Sequence, residues 1–410
     1  MSTLSFVIVG HVDHGKSTLI GRLLFETNSL SLGVMEEVTK TSRELGRQVE
    51  FAYLLDHLEE ERQQGITIDT TQVFFKTAKR DYVIIDAPGH VEFVKNMITG
   101  ASQAEAAVLI IDVKEGVQQQ TKRHAYILSL LGITQVVVVI NKMDLVEFDR
   151  GIYERVKADI GRFLASINVA PLFYVPIAAI KGENISFRSD KMPWYEGRTF
   201  LECLDELENM VRPEEKPLLM PIQDIYRVGD KRIAAGRIEA GMMKAGQRVK
   251  ILPTGEMTQI QTIEKFPSQV EEARTGESIG FTTADPAFID RGSVLCEPGR
   301  EPFLADEFES TMFWMSKKDM KKEERLTIRC GTQEQYCRVE KITKRIDSSS
   351  LGVLGEDSDI LKNLEVGEVT IKTKDPIVLT TFGDVKELGR FVLVRDDNIC
   401  AGGIIARERN

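Results

Sequence analysis

Gly10-His11-Val12-Asp13-His14-Gly15-Lys16-Ser17 follows the apolar run Phe6-Val7-Ile8-Val9 and precedes Thr18-Leu19-Ile20-Gly21-Arg22-Leu23-Leu24. A G-x-x-x-x-G-K-S octapeptide set between an apolar run and a helical period leaves few folds open. The run reads as a buried strand and the octapeptide as a loop at its carboxyl end. A helix then begins near Ser17, with its positive dipole end facing the loop. The two glycines let the backbone curl so that several N–H groups point at one phosphate. Lys16 supplies a point charge to the β/γ oxygens, and the Ser17 hydroxyl can ligate Mg²⁺. Residues Gly10, His11, Val12, Asp13, His14, Gly15, Lys16, Ser17 and Thr18 are therefore candidate nucleotide-binding positions.

Three further segments follow in an order that narrows the ligand. In Asp81-Tyr82-Val83-Ile84-Ile85-Asp86-Ala87-Pro88-Gly89-His90, an apolar strand again ends in an acid. Asp86 can reach the Mg²⁺ shell through water, and the Gly89 N–H can donate to a γ-phosphate because no side chain blocks it. In Val136-Val137-Val138-Val139-Ile140-Asn141-Lys142-Met143-Asp144, the motif N-K-x-D closes a buried strand. A carboxylate at Asp144 accepts two N–H bonds from the N1 and N2 edge of guanine, a donor pair adenine lacks. Asn141 and the Lys142 stem brace the loop and the base face. The reading is therefore GTP. Between these lies Gln63-Gln64-Gly65-Ile66-Thr67-Ile68, where Thr67 can offer its hydroxyl to Mg²⁺ and its backbone to the γ-phosphate. In Pro176-Ile177-Ala178-Ala179, the Ala179 N–H is expected near guanine O6. A serine is usual where Ala178 stands, so a backbone contact has to carry recognition there.

The chain has 410 residues, a length for two or three domains, with 42% hydrophobic and 28% charged residues. No apolar stretch is long enough to span a bilayer, and no positively charged leader precedes the first strand. Five scattered cysteines form no C-x-x-C pair, and all five histidines lie at or before His124. A zinc site is not expected, and the thiols read as reduced in a cytoplasmic protein. Cys330 and Cys337 read as unrelated strand residues rather than as a cross-hairpin pair. A net charge of −10 argues against a general polyanion binder. The basic segment with Lys317, Lys318, Lys321, Lys322 and Arg325 reads as a solvated turn.

Short apolar runs alternating with helical stretches over residues 1–211 give a doubly wound α/β domain with a mostly parallel sheet. Its phosphate loops fall at the carboxyl ends of strands. Two prolines and several charges near residues 211–217 form a linker. Period-two patterns then run over 218–300 and 303–410, divided near Glu297-Pro298-Gly299-Arg300. These are the marks of two antiparallel β-barrels. Gly236–Gly241 is read as a strand in the first, and EVTIKT and PIVLTT as separate strands in the second.

GHVDHGKST, GITID, DAPGH and NKMD together resemble the translation-factor class of GTPases, which includes elongation factors Tu and 1-alpha. The resemblance covers the whole chain. Three kinds of member are in play: the large GTP-binding subunit of bacterial sulfate adenylyltransferase, a factor that delivers aminoacyl-tRNA, and a specialised regulatory GTPase of the same build. Gln64 before Gly65, Thr121-Lys122-Arg123-His124, and Tyr226-Arg227-Val228-Gly229-Asp230-Lys231-Arg232 in place of a G-V-G-T-V hairpin are similar to the first kind. So are Trp314-Met315 and Arg338-Val339-Glu340-Lys341-Ile342, together with the lack of G-Y-x-P-x-x-x-x-H. The wording of residues 86–100 is closer to elongation factor 1-alpha.

That resemblance implies His90 as the residue that orients the attacking water, with Val12 and Ile66 as its apolar gate. Lys16 and Thr67 complete the catalytic set, and Ser17, Thr67 and Asp86 the metal set. It also implies a smaller catalytic partner that forms adenylylsulfate from ATP and sulfate. Glu92, Phe93, Asn96 and Met97 are candidate contacts for that partner. No membrane is implied, and tRNA only under the elongation-factor reading. A fused adenylylsulfate kinase domain is not expected.

Overall fold

The computed structural model describes residues 3–30, 71–86, 104–209, 216–229, 231–265 and 268–408. Thr67, Gly89 and His90 lie outside the described residues, as do Gln64, Ile66, the partner-contact candidates at 92–97 and most of the linker. The chain divides into two units, Met1–Met210 and Val211–Asn410.

Among the described residues the first unit is built on six strands: β1 (Thr3–Gly10), β2 (Thr71–Lys76), β3 (Asp81–Asp86), β4 (Ala106–Asp112), β5 (Gln135–Asn141) and β6 (Phe173–Pro176). Their order in the sheet is β2-β3-β1-β4-β5-β6. Only the β2–β3 pair is antiparallel, and the other neighbours run parallel. Every residue of β4 is buried, as is every residue of β5 after Gln135. That burial is why these strands read as continuous Val/Ile/Leu runs rather than as an alternation.

Helix α1 (Lys16–Glu26) turns Leu19, Ile20 and Leu23 onto this sheet, where each is fully buried beside Phe6, Ile8 and Val108. Burial of this kind stabilises by about 1.5–3 kcal/mol per side chain. Helices α2 (Gln119–Leu130), α3 (Arg150–Ser166) and α4 (Phe200–Asp205) complete the described part of the unit. Asp149 caps α3 by accepting from the Ile152 N–H at 2.7 Å. Thr199 and Glu202 close a capping box on α4.

The second unit holds two rings of six main strands. The first ring uses β7 (Leu219–Val228), β8 (Lys231–Arg237), β9 (Arg248–Leu252), β10 (Glu256–Lys265), β11 (Ser278–Thr283) and β12 (Val294–Cys296). They are ordered β9-β12-β7-β8-β11-β10, and β10 pairs back to β9 to close the barrel. The second ring uses β13 (Phe303–Trp314), β14 (Leu326–Cys330), β15 (Gln333–Asp347), β16 (Glu365–Leu379), β17 (Arg390–Arg395) and β18 (Asn398–Glu408). Its order is β14-β17-β18-β13-β16-β15, closed by β14 on β15. Closure removes the free edges that an open sheet would expose. Leu219, Val294 and Cys296 of the first ring share one apolar cluster with Val378, Val385 and Leu388 of the second.

Two strand readings need correction. EVTIKT and PIVLTT belong to one strand, β16, because Pro376 sits at a bulge where the register against β13 shifts between Ala305 and Glu307. A proline that cannot donate to a ladder is tolerated there. The strand expected over Gly236–Gly241 ends at Arg237.

Cys337 lies opposite Leu326, and Cys330 opposite Gln333, so the two thiols do not face one another. All five cysteines are free and buried. Burial pushes the Cys330 and Cys337 thiols up to about 12. In the basic segment Met320 and Lys321 pair with Leu361 and Ile360, and exposed lysines flank the buried Met320.

Candidate nucleotide-binding site

Parallel register brings the carboxyl ends of the strands to one edge of the sheet. Ile8 of β1 is level with Asp86 of β3, Gly10 with Ile110 of β4, and Asp112 with Asn141 of β5. The described polar residues singled out by sequence for nucleotide or metal binding fall on this edge, on the loops leaving it or in the first turn of α1.

The loop from Gly10 to Gly15 bends through two left-handed residues, Asp13 (φ 63°) and Gly15 (φ 90°). A side chain at Gly15 would place its Cβ 2.4 Å from Asn141 Nδ2, and one at Gly10 would meet Ile110 O at 2.4 Å. Both glycines of the motif are thus required by close approach, and Gly15 by conformation as well. Gly15 also caps α1 and brings no side-chain hydrogen bond to it. The N–H groups of the first helical turn, including those of Ser17 and Thr18, have no intrahelical acceptor. An eleven-residue helix aimed in this way is a ready anion site.

Lys16 is buried, and its ammonium donates to Gly10 O at 3.3 Å and His11 O at 3.0 Å. Burial pushes its pKa down, while the carboxylates of Asp86 and Asp13 push it back up. His14 is fully buried under the loop. Its Nδ1 lies 3.3 Å from Ile110 O and its Nε2 3.2 Å from Glu115 Oε2, with the His11 ring edge-on at 5.3 Å. Burial is the main force holding its pKa below the usual histidine value.

Asn141 joins the two halves of the site. Its Nδ2 donates to His14 O at 2.9 Å, and its Oδ1 accepts from the Ala179 N–H at 3.0 Å. The Ala179 N–H expected to face guanine O6 is therefore committed to Asn141 in this structure. That bond ties the 176–179 loop to the base motif. The Ala178 loop is closed by main-chain bonds: Ala178 N to Glu183 O at 3.3 Å, and Gly182 N to Ala178 O at 2.9 Å. Asn184, also buried, donates to Pro176 O at 2.9 Å and stiffens the same loop without a serine.

Lys142 takes a left-handed conformation (φ 64°), and its ammonium pairs with Asp112 Oδ2 at 2.7 Å. Asp144 follows, half-buried, in the 3-10 turn Met143–Val146. Sequence reasoning passed over Asp112 and Glu115. The signal that singled out Asp86, an acid closing an apolar strand, also marks Asp112.

The donor set suits Mg²⁺. Ser17 offers a half-buried hydroxyl and Asp86 a buried carboxylate, both hard oxygen donors. Among the described residues, no group of three or more His, Cys, Asp or Glu side chains could form a protein-only metal cage. An ion held mainly by phosphate oxygens and water needs no such cage.

Comparison with known proteins agrees with this geometry. Residues 1–213 match the elongation factor Tu GTP binding domain, residues 231–296 match elongation factor Tu domain 2, and residues 307–406 match the GTP-eEF1A C-terminal domain-like family. The chain is 37% identical to elongation factor 1-alpha of Methanosphaerula palustris, over 98% of this chain and 96% of that protein. It is 38% identical to elongation factor 1-alpha of Methanopyrus kandleri, over 99% and 98%. To sulfate adenylyltransferase subunit 1 of Aeromonas hydrophila it is 36% identical, over 98% and 85%. The solved structure of sup35 with GDP aligns with all of this chain and 95% of its own at 23% identity, with a TM-score of 0.47. With a phosphate loop, a base motif and both barrels matched along its length, the chain belongs to the elongation factor Tu family and is a GTPase of the translation-factor class.

Proposed function

We propose that the chain is the GTP-hydrolysing subunit of a sulfate adenylyltransferase, coupling hydrolysis to adenylylsulfate formation by a smaller catalytic partner in the cytoplasm. Overall identity does not separate this reading from elongation factor 1-alpha, since both relatives stand at 36–38%. Local residues favour it: Gln64 before Gly65, the Thr121–His124 stretch, the Tyr226–Arg232 hairpin and Trp314-Met315. Trp314 is fully buried, donates from its Nε1 to Lys318 O at 3.0 Å and lies under Arg395 at 5.1 Å. Its contribution is to hold the 316–325 turn in place.

The observation that carries GTP binding is Asn141, which ties the phosphate loop to the 176–179 loop by one bond to each. The loop N–H groups and Lys16 hold the β- and γ-phosphates. Asp144 reads the guanine edge. Ser17 and Thr67 would hold Mg²⁺, with Asp86 reaching it through water, and a bound ion would supply positive charge against the phosphate oxygens. His90 orients the water in line with the γ-phosphate, while Val12 and Ile66 keep it away until the partner engages. Transmission requires that the partner bind the GTP and GDP forms unequally.

The test is reconstitution with a small adenylyl-transferring subunit, ATP and sulfate. Adenylylsulfate should rise above the GTP-free level only when this chain and GTP are both present. His90→Ala should abolish the stimulated GTP turnover and leave GTP affinity nearly unchanged. Retention of aminoacyl-tRNA by the GTP form, with no effect on adenylylsulfate, would move the chain to the elongation-factor reading.

A further inference from the structure

Asp112 belongs to none of the four motifs, yet it contacts one of them directly through Lys142 and reaches a second through Glu115. Its side chain is buried, and burial alone would push its pKa up. Lys142 and the N–H groups of Lys114 and Glu115 outweigh that and hold it below the usual carboxylate range. One oxygen, Oδ2, pairs with Lys142 Nζ at 2.7 Å. The other, Oδ1, accepts from the Lys114 N–H at 2.7 Å and the Glu115 N–H at 3.3 Å. The Gly116 N–H returns to Asp112 O at 2.9 Å, closing a tight turn. That turn places Glu115 Oε2 3.2 Å from the His14 ring. His14 O in turn accepts from Asn141, and Asn141 pairs with Asp112 across the sheet.

The contacts therefore form a closed circuit: Lys142 to Asp112, Asp112 to the 113–116 turn, Glu115 to His14, and His14 to Asn141, the neighbour of Lys142. Lys142 also stands in a left-handed conformation that costs a non-glycine residue about 1 kcal/mol, so something has to hold it. The ion pair to a buried carboxylate supplies that hold. With its ammonium fixed, the Lys142 stem and the Asp144 that follows have one arrangement to offer.

We propose that Asp112 is a positioning residue for guanine recognition, setting the base loop through Lys142 and bracing that loop against the phosphate loop through Glu115 and His14. This rests on the reading of N-K-x-D as the guanine site. Asp112 touches no nucleotide itself, so its effect is on affinity and not on the hydrolytic step.

A double-mutant cycle on the full chain, read by calorimetry with Mg²⁺-GTP and Mg²⁺-GDP, tests this. Asp112→Asn should weaken both nucleotides alike, about tenfold, and raise KM while kcat stays within about twofold. In a Lys142→Ala background, the same change should add less than about twofold, because the contact it acts through is already gone. A packing role alone would lower the unfolding temperature without this non-additivity. If Asp112→Asn does not fold, Asp112→Glu, which keeps the charge but displaces it, should weaken binding by about threefold and show the same non-additivity. Unchanged affinity, or the full tenfold loss added on top of Lys142→Ala, overturns the proposal while the guanine reading stands. Failure of the unaltered chain to bind Mg²⁺-GTP removes both.

Discussion

The two units handle buried charge in opposite ways. Among the described residues, the first buries Lys16, Asp86 and Asp112 together with His14 and His124, all in or near the strand-end edge of one sheet. The second, roughly as long, buries only Glu365 among its charged side chains, and Arg345 grips that carboxylate through two bonds at 2.8 and 2.6 Å. Charge is costly to bury. In the barrels the cost is met by a single satisfied pair that fastens β15 to β16. In the α/β unit the buried groups stand next to glycines and an uncapped helix start, where an anion can complete them. A lone buried ion pair within a barrel wall marks a scaffold, and buried charge gathered around an open backbone cradle marks a site.

The sharpest way to break this contrast is at the base loop. Asp144→Asn exchanges the acceptor that guanine N1–H and N2–H need, so GTP affinity should fall by about 3–4 kcal/mol, more than 100-fold. Xanthosine triphosphate should bind better than it does to the unaltered chain, with the unfolding temperature nearly unmoved. An unchanged preference for GTP would remove Asp144 from base recognition. In the barrels the pattern should invert. Arg345→Ala leaves Glu365 buried without its cation and should cost about 3 kcal/mol of stability, with GTP affinity unaltered. Chemical denaturation and nucleotide titration of the same preparation read both quantities.

Acid separates the units next. His124 is fully buried, and burial together with the nearby Lys16 pushes its pKa down to about 3. It is neutral in the folded chain at neutral pH. Below the unfolded value near 6.5 the unfolded chain binds more protons, so stability falls as the pH drops toward the folded value. Between pH 6.5 and 5 this group should remove about 2 kcal/mol from the first unit. His14, with its pKa also lowered, acts in the same direction. The second unit contains no histidine, and its lowered Glu365 loses its contribution only as the pH falls through the carboxylate range. Denaturation followed separately in the two units at pH 7 and pH 5 should therefore show the first weakened and the second held. Equal sensitivity would mean that charge burial is not segregated as described. The smallest effect belongs to pure scaffold in the first unit. Asp149→Ala removes the α3 cap and should cost about 1 kcal/mol with no change in nucleotide affinity.

Much of this site was legible in the chain because its signals are local. Gly10–Ser17 and Asn141–Asp144 are contiguous motifs at the ends of apolar runs, and the period of the runs gave the α/β order and the β character of the second unit. What escaped is carried by register. Glu115 and His14 are 101 residues apart, and Asp112 closes β4 while Lys142 follows β5. They meet only because β4 lies beside both β1 and β5. Nothing in Pro176-Ile177-Ala178-Ala179 shows that Asn141, 38 residues earlier, accepts from the Ala179 N–H. Pro376 misled for the converse reason: Lys374-Asp375-Pro376 carries a turn signal, yet a bulge in a long barrel strand absorbs it.

The central claim is that a single guanosine triphosphate is held at once by the loop around Lys16 and the loop around Asp144, with Asn141 fastening one to the other. Calorimetric titration of the folded chain with Mg²⁺-GTP and with Mg²⁺-ATP tests it most directly. Saturable one-to-one binding of GTP, at least 100-fold tighter than any heat from ATP, is the expected result. Equal affinity for the two nucleotides, or heat from ATP alone, would contradict it.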